Sequence, residues 1–270
     1  MAWTNVLVPV VGTSDDARSL SVAKALAAPF DATLSVVFAA PSLGSLFNWV
    51  MEGGVNVTDV AITAIEEETE RERARCHHLL ADLDYPHTAF EQVTTDDWLG
   101  LRSATRLADV VIWDRSAAGD DGFLAGAFQQ ILLDERRPAF LADKPLVLEG
   151  TIAVAWDGGR EASRALRRSV PLLKQADRVI LVTVPHAMRL PCDSARAIRY
   201  LSDQGIRADT QIVHTSGDAS SAILDAVTKM DANILVAGAF GHPRLHRFIF
   251  GGTTQYLLKS VRRPALFLSH

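Results

Sequence analysis

This 270-residue sequence has few cysteines, no long apolar run and no excess of basic residues. No uninterrupted apolar stretch approaches the roughly 20 residues that a membrane-spanning helix requires. The segment from Met1 to Val11 lacks the basic region and the apolar length of a signal peptide. We therefore expect no membrane partner and a cytoplasmic location.

The two cysteines, Cys76 and Cys192, stand far apart and form no metal-binding spacing. We expect both to be reduced, inert thiols. Cys76 is followed by His77 and His78, but adjacent residues of a helix point in different directions, so no metal site is predicted. The net charge of -5 and the pI near 5.9 argue against a nucleic-acid partner, which usually requires a basic surface.

The remaining composition is that of an ordinary globular protein, with 48% hydrophobic and 22% charged residues. The length suits two domains of roughly 130 to 150 residues better than one. An internal repeat supports two similar units. The stretch Asn5–Leu20 resembles Thr151–Leu166, and Arg136–Leu141 resembles Arg262–Phe267. We therefore predict domains at residues 1–145 and 150–270, with Asp143–Gly150 as the linker.

Both units alternate β-branched apolar runs with amphipathic stretches, which predicts parallel sheets with helices on both faces. The fold class is therefore α/β, with two tandem doubly wound domains that each contain a five-stranded parallel sheet. The predicted strands are Val6–Val11, Thr33–Ala39, Phe90–Val93, Asp109–Trp113, Ala139–Ala142, Ile152–Trp156, Val179–Val184, Ala208–Val213, Asn233–Ala237 and Ala265–Ser269. The predicted helices are Asp15–Ala28, Val57–Leu83, Asp97–Leu107, Leu124–Glu135, Glu161–Lys174, Asp193–Gln204, Ala219–Met230 and Gln255–Val261.

The last strand of each unit is apolar, and an apolar edge strand needs cover. We expect Ala139–Ala142 and Ala265–Leu268 to cover each other and to join the units into a pseudo-dimer within one chain. A further homodimer is compatible with this arrangement.

The segment Gly238–Thr254 connects a predicted buried strand to the last predicted helix and contains four glycines and two threonines. Glycines permit positive φ and close approach of a ligand, and the free amides of a helix start suit a di- or triphosphate. A surface loop whose glycines only make turns is the alternative. The spacing is neither that of a P-loop nor the G-x-G-x-x-G of a dinucleotide site.

The glycines Gly238, Gly241 and Gly251 resemble the Gly-x2-Gly-x9-Gly-Ser/Thr signature of the universal stress proteins. The resemblance implies a Rossmann-like fold of the adenine nucleotide alpha hydrolase type, and a loop that wraps the phosphates of ATP in members that bind it. Gly252 stands where the family usually has serine or threonine, so we expect Thr253 or Thr254 to supply the hydroxyl.

The resemblance also implies roles for residues at the ends of the other strands. Asp157 falls where the family has an aspartate against the base or ribose, Val184 where a backbone group contacts adenine, and Ala237 would line the same pocket. Asp157 as a helix cap is the alternative. Arg244, with His246 and Arg247, is expected to neutralise phosphate charge, or else to be a solvated loop residue.

The first unit lacks these features, because Val11 stands at the position of Asp157 and the loop after Trp113 carries Asp120 and Asp121. We predict that it keeps the fold without the nucleotide site. The expected function is a stress-response regulatory protein that binds ATP or another adenine nucleotide in its C-terminal domain, alone or with Mg²⁺. A scaffold without nucleotide and a slow ATPase are the alternatives. No nucleophile with a paired base is present, so no catalytic residue is assigned.

Overall fold

The computed structural model describes residues 2–40, 59–94, 99–115, 123–185, 194–239, 256–258 and 264–270. Its strands are β1 (Asn5–Val10), β2 (Thr33–Ala40), β3 (Thr88–Thr94), β4 (Val110–Trp113), β5 (Ala139–Leu141), β6 (Thr151–Ala155), β7 (Arg178–Thr183), β8 (Ala208–Ile212), β9 (Ile234–Gly238) and β10 (Ala265–Ser269). Its helices are α1 (Asp16–Ala27), α2 (Asp59–Asp82), α3 (Leu99–Thr105), α4 (Ala125–Leu133), α5 (Arg160–Arg168), α6 (Val170–Leu173), α7 (Ser194–Asp203) and α8 (Ala219–Lys229). A 3-10 turn follows α1 at Ala28–Phe30.

The strands form one sheet in the order β3-β2-β1-β4-β5-β10-β9-β6-β7-β8. Within each half all neighbouring strands are parallel, and the two halves have the same order when each is counted from its own first strand. This confirms the predicted α/β class with two doubly wound units. The strand order reverses between β1 and β4 in the first half, and between β6 and β9 in the second.

The two halves meet through the antiparallel pair of β5 and β10, in which Phe140 lies opposite Phe267. The predicted pairing of the two last strands is therefore confirmed. Each face of the sheet carries an apolar core that includes residues of both halves. Trp3 stacks on Phe267 with ring centroids 6.2 Å apart, so the N-terminal segment also packs against the second half.

Pro171 explains why the single predicted helix Glu161–Lys174 is two helices. Its ring removes one backbone donor and clashes with the preceding turn, so α5 ends at Arg168 and α6 begins at Val170. The end of the predicted helix Gln255–Val261 lies outside the described residues, and the described part, residues 256–258, is helical.

Glycines make the turn between the first strand and first helix of each half. Gly12 has φ +85° and Gly158 has φ +74°, values that residues with a Cβ rarely adopt. The two glycines stand at equivalent positions of the repeat, which shows that the repeat preserves backbone geometry as well as sequence.

Candidate functional site

The strand-order reversal of the second half brings together four of the predicted site residues. Asp157 follows β6, Gly238 ends β9, and Ala237 precedes it. Val184 follows β7, which pairs with β6. Ligands of doubly wound sheets bind at this end of the strands. The other predicted residues, Gly241, Arg244, Gly251, Gly252, Thr253 and Thr254, lie outside the described residues.

The carboxylate of Asp157 takes part in the turn that follows β6. Its Oδ1 accepts a hydrogen bond of 2.8 Å from the backbone N–H of Gly159. Gly159 is the N-cap residue of α5, and no side chain caps that helix. The contact therefore organises the turn in front of α5, and Asp157 is not the N-cap residue of that helix.

Gly238 has a packing role that differs from the predicted one. A Cβ at this position would lie 2.6 Å from the backbone N of Ala162 and 2.6 Å from the carbonyl carbon of Glu161. The residue lies in β9, and its φ is not in the positive region. Here the close neighbour that requires glycine is the first turn of α5.

The N-terminus of α5 places the positive end of the helix dipole and free backbone N–H groups at this end of the sheet. No side chain caps the first turn of α5. By contrast, α8 has a side-chain cap, because Asp218 accepts a hydrogen bond from the backbone N–H of Ser221 at 2.9 Å. Glu161 in the first turn of α5 is buried, 3.8 Å from the guanidinium of Arg160. A helix start of this kind favours negatively charged groups.

Two buried polar side-chain atoms next to these residues have no hydrogen-bond partner within the described part of the chain. They are Nε1 of Trp156, directly before Asp157, and Oγ1 of Thr183, directly before Val184. Buried polar groups are nearly always hydrogen-bonded, so these two atoms require an explanation. The sequence analysis missed them, because an apolar strand end gives no sign of an unpaired atom.

The equivalent turn of the first half is filled by a carboxylate of the chain itself. Oδ2 of the buried Asp16 accepts from the backbone N–H groups of Val11, Gly12 and Thr13 at 3.2, 2.6 and 3.0 Å. Burial raises the pKa of Asp16, against the opposing effect of these hydrogen bonds. No side chain caps α1 at its N-cap residue Asp15, and Asp16 in the first turn of the helix reaches back to the amides of the preceding turn.

Helix α2 covers the same turn from outside. Glu72 packs against Gly12, where an added Cβ would lie 2.3 Å from the Cβ of Glu72. Arg75 donates a hydrogen bond to the carbonyl of Gly12. Cys76 is buried with its Sγ 3.9 Å from Oδ2 of Asp16, and burial raises the pKa of its thiol to about 12. The first turn is thus closed to a ligand.

The repeat places Ala162 where the first half has Asp16. An alanine cannot accept hydrogen bonds from the turn, so the second half has no counterpart of the buried carboxylate. Among the described residues, no side chain accepts from the amides of Asp157 and Gly158, and the third amide of the turn, that of Gly159, donates to Asp157. The two halves therefore share a backbone and differ in the chemistry of the turn that follows their first strand.

Two cavities are lined by described residues. One of about 220 Å³ borders the connection at residues 142–147, and one of about 520 Å³ lies where the two halves meet. No helix among the described residues is long and apolar enough to cross a membrane.

The sequence of the second half decides the family. Residues 150–268 match the model of the Universal stress protein family. The C-terminal half belongs to the universal stress protein family. No protein of curated function matches the sequence.

Solved structures extend the likeness to the complete chain. A universal stress protein from Archaeoglobus fulgidus DSM 4304 superposes with a TM-score of 0.68 at 17% identity, covering 98% of this chain and 95% of that one. A protein described as functionally unknown, from Pseudomonas aeruginosa PAO1, gives a TM-score of 0.57 at 13% identity and covers 99% and 92%. At these identities the likeness shows the fold, so both halves have the architecture of a two-unit universal stress protein.

Proposed function

We propose that the C-terminal universal stress protein domain binds an adenine nucleotide, with ATP as its ligand, and that the chain is a stress-response regulatory protein with one nucleotide site. The first half is the folded partner of that domain. The cytoplasmic location, an accompanying Mg²⁺ and a further homodimer stay predictions.

The contrast between Asp16 and Ala162 carries this proposal. In the first half a built-in carboxylate occupies the turn amides, which is what an anionic or polar ligand would do. In the second half the same turn has no such carboxylate, and it lies beside the uncapped start of α5. Oriented amides at a helix start are suited to phosphate and other acceptor groups.

The described residues supply the groups that a nucleoside requires. The carboxylate of Asp157 accepts from a ribose hydroxyl or a base amine, and the backbone of Val184 offers a donor and an acceptor to the base. Trp156 and Thr183 contribute a buried donor and a buried hydroxyl. The glycines and threonines of residues 241–254, with Arg244, would hold the phosphates, as the family signature implies.

Isothermal titration of the whole chain with ATP tests the proposal. We expect Asp157→Ala to weaken ATP binding about tenfold or more, because a hydrogen bond to a charged group contributes about 1.5–3 kcal/mol. Mass spectrometry of nucleotides released on denaturing freshly purified protein would identify the ligand.

Asp218→Ala is the matched control, because it removes a carboxylate that also accepts one backbone hydrogen bond, at the start of α8. Its affinity for ATP should equal that of the wild type. Absence of ATP binding by the wild type, or equal losses in both variants, would leave the chain as a scaffold without nucleotide.

A further inference from the structure

A cavity of about 520 Å³ lies where the two halves meet. Its walls come from the segments before β1, β4 and β5, from helices α5, α6 and α7, and from Gln204 directly after α7. Both halves therefore contribute to it, and an isolated half would not form it. Its outstanding feature is the set of guanidinium groups in its wall: Arg137, Arg164, Arg167 and Arg168.

Two of these arginines, Arg137 and Arg168, are held by neutral oxygens instead of carboxylates. Arg168 donates to the backbone carbonyl of Arg136 and, at 3.1 Å, to Oγ of Ser269. Arg137 donates to the carbonyls of Glu135 and Ala108 at 3.2 and 3.4 Å. Within the described part of the chain, no carboxylate lies within ion-pair distance of any of the four.

The repeat shows what is missing around Arg164. Its counterpart in the first half, Arg18, pairs with Asp114 at 2.8 Å and with Asp15 at 2.7 Å. Asp114 follows β4 as Gly238 ends β9, so the second half has a glycine where the first has the main carboxylate partner. Arg164 keeps the position of an ion-paired arginine without that partner.

The carboxylate in the cavity wall is already engaged. Oδ2 of Asp109 accepts from the N–H of Thr4 at 2.6 Å, from its hydroxyl at 3.1 Å and from the N–H of Asn5 at 3.0 Å. Burial, followed by repulsion from Arg137, Arg164 and Arg136, lowers the pKa of Arg168. Like charges are thus concentrated here in a chain whose net charge is -5. Such an arrangement is stabilised by a bound anion.

We propose that this cavity is a second ligand site, which binds a small phosphorylated anion between the two halves. In this proposal guanidinium groups from α5 and from the segment before β5 contact the phosphate oxygens, and Tyr200 of α7 and Gln204, directly after α7, provide neutral polar groups in the cavity wall. A volume in the range of small-molecule sites favours a compact ligand over a nucleic-acid strand.

Inorganic tripolyphosphate is the probe, titrated calorimetrically into the whole chain at about 0.1 M salt. The test variant is Arg164→Gln/Arg167→Gln, because neither side chain makes a described hydrogen bond within the fold. We expect the wild type to bind and this variant to bind at least about tenfold more weakly, through the loss of two charge-assisted contacts. Should the double variant not fold, Arg167→Gln alone, at an exposed position, should still weaken binding severalfold.

Two controls separate this site from other sources of attraction. Arg207→Gln/Lys229→Gln removes the same charge from exposed positions outside the cavity and should bind the probe like the wild type. Ala162→Asp, which blocks the proposed nucleotide site, should also retain tripolyphosphate binding, so the two proposals fail separately. No binding by the wild type, or equal weakening in the two double variants, would overturn the cavity site.

Discussion

Gly12 illustrates how much a single residue determines in the closed turn of the first half. Its positive φ and its contact with Glu72 both exclude a side chain, whereas Gly205 has positive φ but nothing within 4 Å of an added Cβ. A substitution at Gly205 therefore tests backbone strain alone, whereas one at Gly12 tests strain together with a steric clash. At Gly12 the turn, the covering helix α2 and the buried carboxylate of Asp16 depend on one another.

We predict that Gly12→Ala lowers the free energy of unfolding by about 3 kcal/mol, from left-handed strain together with overpacking. Gly205→Ala should cost about 1 kcal/mol, from the strain alone. Urea denaturation of the two variants measures both values. Equal losses would show that Glu72 moves away without cost and that α2 does not close the turn.

At the scale of elements, Glu135 connects helix α3 to the end of α4. Its carboxylate accepts from Arg106 at 3.2 Å and from Arg102 at 3.0 Å, and its side chain is 13% exposed. The hydrogen bond from Arg106, together with that from Arg102, lowers the pKa of Glu135. The folded state therefore favours the ionised form.

We predict that Glu135→Gln destabilises the chain by about 2 kcal/mol at pH 7, because hydrogen bonds between charged groups are lost. A lowered pKa gives stability that is present above the ordinary value of 4.5 and is lost as the pH falls through the folded-state value. The difference between wild type and variant should therefore shrink in acid, as measured by urea unfolding across that range.

Glu70→Gln is the comparison for Glu135, since Glu70 pairs with Arg73 at 2.7 Å on an exposed face of α2. Exposed pairs contribute little, so its effect should stay below about 0.5 kcal/mol at pH 7. A difference for Glu135→Gln that stays constant with pH would show that packing, and not charge, is responsible.

The strands and helices could be predicted because apolar residues follow the strand or helix period in each of them and turn residues separate them. It predicted the pairing of β5 with β10 because both strands are apolar and would otherwise be edges. The carboxylate of Asp16 could not be predicted, because its sequence context is that of an ordinary helix start. The role of Gly238 was missed for a similar reason, since only the fold shows that α5 lies against it.

At the scale of the whole molecule, Arg115 joins the two halves away from the β5–β10 pair. This buried residue follows β4 and donates to the carbonyl of Leu257 at 3.2 Å and to that of Pro264. Both acceptors belong to the second half, one of them directly before β10. The arginine therefore connects the loop after β4 to the segment that leads into the last strand.

We predict that Arg115→Met lowers the free energy of unfolding by about 3 kcal/mol, because two hydrogen bonds from a charged group are lost and two buried carbonyls remain. Arg18→Met is the comparison, since the partners of Arg18, Asp15 and Asp114, lie in its own half and Arg18 is partly exposed. Its cost should be about 1 kcal/mol. Equal costs, measured by chemical denaturation, would argue against a special role for Arg115 between the halves.

The affinity of Ala162→Asp for ATP is the most direct test of the difference between the halves. The substitution gives the second half the carboxylate that Asp16 supplies in the first, and Ser163→Asp adds the same charge one residue later as a control. We predict that Ala162→Asp weakens ATP binding at least about 100-fold, through occupied amides and like-charge repulsion, while Ser163→Asp has a much smaller effect. ATP binding by a folded Ala162→Asp variant with the affinity of the wild type would contradict the assignment of the nucleotide site to this turn.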